Sequence, residues 1–218
     1  MRPLRPLARL ALGGVLAVAL TGALVAPARA QAPERVIVVL GDSLTAGFGV
    51  AVDEAFPARL QARLRREGYV YRVVNGGVSG DTTAGGLRRV DWILRARPEI
   101  VVVALGANDG LRGLPVSQLK SNLSAIVERL TAEGARVLLA GMRVPPNYGD
   151  RYTREYAAAF AEVARRGKTP LMPFLLEGVA AEARLNQPDG IHPNAAGHQA
   201  IADHLWPHLK PLLARRAD

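Results

Sequence analysis

Five short runs of apolar and β-branched residues recur along the chain, at 36–40, 69–74, 100–105, 137–140 and, more weakly, 170–172. Their length and their lack of alternation predict strands covered on both faces. Between them, apolar positions return every three to four residues. That period predicts helices over 55–67, 83–96, 117–133, 154–166 and 195–213. Gly68 and Gly134 stand where two of these helices should stop, and Pro98 and Pro115 mark an exit and an entry. Strands alternating with helices in one block predict a single three-layer α/β/α domain with a five-stranded parallel sheet. Right-handed crossovers make a flavodoxin-like order, 2-1-3-4-5, the simplest topology.

The first thirty residues break the pattern. Arg2, Arg5 and Arg9 precede an apolar stretch over 10–25, and Ala28-Arg29-Ala30 offers small residues at the −3 and −1 positions of a cleavage site. The stretch is short and glycine-interrupted for a membrane span. Residues 1–30 are therefore expected to be a cleaved signal peptide and 31–218 the folded domain. No stable membrane anchor is expected after cleavage, and the expected location is the bacterial periplasm or exterior. The chain has no cysteine, so disulfides, thiolate metal sites and a cysteine nucleophile are excluded. Its net charge is +9, of which Arg2, Arg5, Arg9 and Arg29 supply four in a leader without acids, leaving +5. The remaining arginines lie among acids, as in Arg63, Arg65, Arg66 and Glu67, with no aromatic-interleaved basic stripe. A solvated basic surface, no nucleic-acid partner and a monomer are the expectations.

In a parallel sheet of this order the ligand site lies beyond the carboxyl ends of the strands, where strands 1 and 3 part. The chemistry-bearing residues do follow strand ends. Strand 1 runs into Gly41-Asp42-Ser43, strand 2 into the 75–81 segment with Gly80, and strand 3 into Gly106-Ala107-Asn108-Asp109. A later loop carries Asp189-Gly190-Ile191-His192 before the last helix. A serine hydroxyl needs a base to become a nucleophile, and histidine is the side chain suited to that work near neutral pH, which makes His192 the candidate base. Asp189, three residues earlier, can turn back onto its imidazole. The G-x-S-x-G elbow of α/β-hydrolases is absent.

These blocks, in this order, resemble the SGNH/GDSL hydrolase family. The strings SGDTTAGGL (79–87), NDGLRGL (108–114) and RVPPNYG (143–149) are similar to its multifunctional periplasmic arylesterase, acyl thioesterase and lysophospholipase subgroup. The resemblance implies Ser43 as nucleophile, Asp189 and His192 as its partners, and an oxyanion hole formed by Ser43, Gly80 and Asn108. It implies small-molecule or lipid esters as substrates, with no metal and no cofactor needed. Leu111, Leu114, Val144 and Tyr148, by loop position, are candidates for an acyl groove.

Other residues have plainer readings. Asp42, Asp81, Thr82 and Asp109 are expected to hold loops and cap helices rather than to move protons. His204 and His208 stand four apart but lack the H-E-x-x-H pattern, and Gly76, Gly77 and Gly80 lack a phosphate-loop spacing. Two other functions stay open at this point: a carbohydrate O-deacetylase on the same fold, and a non-enzymatic basic surface-binding protein.

Overall fold

A computed structural model describes residues 35–214. The expected leader lies outside the described residues. The elements run β1 (Arg35–Gly41), α1 (Ser43–Ala46), α2 (Phe56–Arg66), β2 (Tyr71–Gly77), α3 (Thr83–Arg88), α4 (Val90–Leu94), β3 (Ile100–Ala104) and α5 (Ala107–Leu111). They continue with α6 (Val116–Ala132), β4 (Arg136–Ala140), α7 (Asp150–Arg166), β5 (Leu171–Met172) and α8 (Ala195–Leu209). The strands pair in parallel in the order β2-β1-β3-β4-β5, as expected.

Every residue of β3 and all but the first of β1 are buried, so the sheet centre is dry on both faces. The crossover α2 packs against β2 and α8, while α3, α6 and α7 pack side by side, with α6 and α7 also against β4. Right-handed crossovers that run in opposite directions from β1 put these groups on opposite faces.

The differences from expectation have local causes. The helix expected over 83–96 breaks in two at Arg89, whose backbone (φ −94°, ψ 0°) ends α3 and begins α4. The apolar period runs through the break and conceals it. β2 starts at Tyr71, two residues late, and runs on through Asn75-Gly76-Gly77, which carry no apolar signal. Those glycines permit close approach: a Cβ on Gly77 would lie 2.2 Å from the Ala46 nitrogen, at the end of α1. α7 begins four residues before the expected 154, and α8 tightens into a 3₁₀ turn at Lys210–Leu212.

Candidate active site

Asp42 closes β1 and caps α1. Its Oδ1 accepts the Leu44 N–H at 3.0 Å, which sets Ser43 at the first position of a four-residue helix. Gly47, in left-handed backbone at φ +80°, ends that helix. Ser43 is thereby held at the carboxyl end of the sheet, half-buried.

The 189–192 loop meets it. His192 Nε2 stands 3.0 Å from Ser43 Oγ, and its Nδ1 stands 2.7 Å from Asp189 Oδ2. Asp189 Oδ1 also accepts the backbone N–H of Ile191 and of His192, at 2.9 and 3.0 Å. The turn that allows this passes through Gly190 at φ +70°. Chiefly the His192 backbone bond, with the imidazole bond and the Ile191 bond behind it, holds the Asp189 carboxyl down at about 2. It is a carboxylate at any working pH, able to keep the imidazole proton on Nδ1 and leave Nε2 to face the serine.

Asn108 joins the group from the start of α5. Its Nδ2 donates to the Asp81 carbonyl at 3.0 Å and to Asp42 Oδ2 at 3.3 Å. Gly80 is exposed at φ +81°, and its carbonyl accepts from Arg112 Nη2 at 2.9 Å. A Cβ there would meet only Arg112 Nη2, at 3.8 Å, so backbone freedom rather than space calls for glycine. Asp42 is fully buried, and desolvation pushes its carboxyl up to about 6 against the pull of Leu44, Asn108 and His192.

The four acyl-groove candidates divide. Leu111 is exposed, Leu114 and Tyr148 are half-buried, and Val144 belongs to the buried core. Among the supporting residues, Thr82 caps α3 by accepting the Gly85 N–H, as expected. Asp81 instead pairs with Arg89 at 2.6 Å. Asp109 reaches across to Thr83, accepting its N–H at 2.8 Å and its hydroxyl at 2.5 Å, and so ties the Asn108 segment to the start of α3. Among the described residues no group of three or more His, Asp or Glu could hold a metal ion. His204 is exposed and His208 half-buried.

Several supports carry no sequence motif. Arg89, at the helix break, also donates to the Gly76 and Gly41 carbonyls, at 2.9 and 3.2 Å, and so holds the ends of β1 and β2. Tyr156, Tyr152 and Tyr148 donate their hydroxyls to the carbonyls of Gly106, Leu114 and Leu111, at 2.7, 2.9 and 2.7 Å. The three rings run along α7 and the turn before it at centroid spacings near 6 Å (6.1 and 5.9 Å). They brace the segment that carries Asn108. The Phe48 ring, half exposed, lies 4.6 Å from the His192 ring.

Residues 39–200 match the model of the GDSL-like Lipase/Acylhydrolase family. The chain belongs to this family. It is 47% identical over 184 residues to Esterase TesA of Pseudomonas aeruginosa, covering 84% of this chain and 92% of that protein. It is 38% identical over 186 residues to thioesterase 1/protease 1/lysophospholipase L1 of Escherichia coli, covering 85% of this chain and 88% of the relative. A crystal structure of TesA superposes with a TM-score of 0.80 at 47% identity, over 82% of this chain and all of that one. This GDSL hydrolase is thus an enzyme, matched to its relatives over nearly their whole length.

Proposed function

We propose that this GDSL hydrolase cleaves carboxylic esters and thioesters of acyl chains through an acyl-enzyme on Ser43. The observation that carries the reading is the continuous line Ser43 Oγ to His192 Nε2 to Asp189 Oδ2, at 3.0 and 2.7 Å. In the forward step Ser43 Oγ attacks the acyl carbon and passes its proton to His192 Nε2. Asp189 stabilises the imidazolium. The tetrahedral oxyanion takes hydrogen bonds from the Ser43 and Gly80 N–H groups and from the Asn108 amide. Collapse expels the alcohol or thiol, which receives the proton from His192. Water then enters along the same path, is deprotonated by His192, and releases the acid and Ser43.

The substrate class follows the relatives, named as an esterase and as a thioesterase and lysophospholipase. Leu111, exposed next to the Asn108 segment, with Leu114 and Tyr148 beside it, supplies an apolar wall suited to an acyl chain. Val144 is buried and packs against the backbone of α5 at Gly110, the helix that carries Leu111.

The test is a panel of p-nitrophenyl esters, acyl thioesters, lysophospholipids and acetylated sugars offered to the purified enzyme. Turnover of acyl esters and thioesters longer than acetyl is the expected result. Turnover confined to acetylated sugars would overturn the reading.

A further inference from the structure

Ser43 and His192 are 149 positions apart in sequence. The loop that carries the base is largely open to solvent, with Asp189, Gly190 and Ile191 all exposed. Packing alone does not hold such a loop over the serine, so its placement depends on specific bonds to the nucleophile's segment.

We propose that Gln187 is the positioning residue that holds His192 over Ser43. Its side-chain Nε2 donates to the Phe48 carbonyl at 2.7 Å and to the Pro193 carbonyl at 3.0 Å. Its backbone N–H donates to the His192 carbonyl at 2.8 Å. Both amide protons are used, one on each side of the gap between the two segments. Phe48 is itself anchored to the nucleophile, since its N–H donates to the Ser43 carbonyl at 3.1 Å. The path from Ser43 to His192 therefore runs through Phe48 and Gln187, parallel to the reacting bond. The Phe48 ring, against the imidazole at 4.6 Å, closes the same joint from the side chain.

Gly49 fits this role. It sits at φ +77°, and a Cβ there would lie 2.1 Å from Gln187 Oε1. The missing side chain leaves the space that the amide occupies. Because reactive geometry tolerates little displacement, releasing the joint should slow the chemistry more than it weakens substrate binding. The inference rests on the Ser43–His192–Asp189 reading above and extends it to a residue that touches no reacting atom.

Gln187→Met keeps the length of the side chain and removes its donor. Its kcat on p-nitrophenyl butyrate, per folded molecule, should fall by about 10- to 100-fold while KM stays within about twofold. The midpoint of the acid limb of the kcat–pH profile should not move, since Asp189 and His192 keep their own bonds. Full kcat, or a loss explained by the fraction unfolded, overturns the proposal.

Should Gln187→Met fail to fold, Gly49→Ala displaces the same amide from the opposite segment and carries the same expectation. Normal kcat in Gly49→Ala then overturns it. Where both fold, the double variant should lose no more than the stronger single, and fully additive losses contradict a shared joint. Ser43→Ala in the same assay separates the two claims. Turnover surviving in Ser43→Ala sinks the catalytic reading, whereas a dead Ser43→Ala beside a full-rate Gln187→Met sinks the joint alone.

Discussion

At the scale of single residues, the point of interest is the meeting of Asn108 with Asp42. The Asn108 amide already has two acceptors, and the bond to Asp42 Oδ2 is the longer at 3.3 Å. In the proposed mechanism a developing oxyanion takes that proton in competition with the long bond, so that the donor acts mainly in the transition state. Asn108→Ala is expected to lower kcat by about 10²–10³ with little change in KM; steady-state kinetics on an aryl ester checks it, and a change confined to KM removes Asn108 from the hole. Asp42 gives a pH prediction. Its folded pKa is raised from 3.8 to about 6. Between those values the unfolded chain has released a proton that the folded chain keeps. The stability this group contributes is thus present below about 4 and lost as pH rises through about 6. Asp42→Asn does not titrate, so its Tm relative to the natural enzyme should rise from about pH 4 to pH 7. A Tm difference independent of pH across that range contradicts the assignment. The residues proposed to react could be picked out from the sequence because each follows a strand end or shares one short loop, as Asp189 and His192 do. Gln187, Arg89, Tyr152 and Tyr156 were not. Each acts by donating to a backbone carbonyl on a distant segment, which any glutamine, arginine or tyrosine could do, and only the fold shows which carbonyl it meets.

At the scale of elements, α1 is four residues long and cannot hold itself in place by its own helical bonds. It is held by what it crosses. Gly41 and Gly77 are register partners at the ends of β1 and β2. A Cβ on Gly41 would fall 1.9 Å from Thr45 Oγ1, and one on Gly77 2.2 Å from the Ala46 nitrogen. The contact at Gly77 is with backbone, which cannot rotate away. Gly77→Ala should therefore cost about 1–3 kcal/mol and lower kcat by shifting Ser43; thermal unfolding with kinetics on one preparation reads both. A variant of unchanged stability and rate would show that α1 has room to move. The elements themselves were mostly legible. Strand positions followed from apolar runs, while the break at Arg89 was hidden because Val90, Ile93 and Leu94 continue the apolar period on its far side. The extension of β2 was hidden for the opposite reason, since Gly76 and Gly77 are there to be small.

At the scale of the whole molecule, polar groups gather at both ends of the sheet, and the two ends differ. At the amino end Glu99 accepts from Tyr71 Oη at 2.6 Å and pairs with Arg35 at 3.1 Å and with Arg136, and the Tyr71 hydroxyl takes the Ala214 N–H at 3.1 Å. Those groups satisfy one another and close the fold. At the carboxyl end the loops after β1, β2 and β3, which carry Ser43, Gly80 and Asn108, are tied together by the Asn108 amide on Asp42 and on the Asp81 carbonyl, and His192 arrives from the loop before α8. The sheet order makes that convergence a consequence of topology, which is why the position of the site could be expected before its geometry was known. In the proposed mechanism every acyl transfer passes through Ser43 Oγ. The most direct measurement is hydrolysis of p-nitrophenyl butyrate by Ser43→Ala, with circular dichroism on the same sample. Native-like spectra with turnover reduced to the rate of the enzyme-free reaction are expected; turnover near that of the natural enzyme from a folded Ser43→Ala protein would contradict a serine nucleophile at position 43.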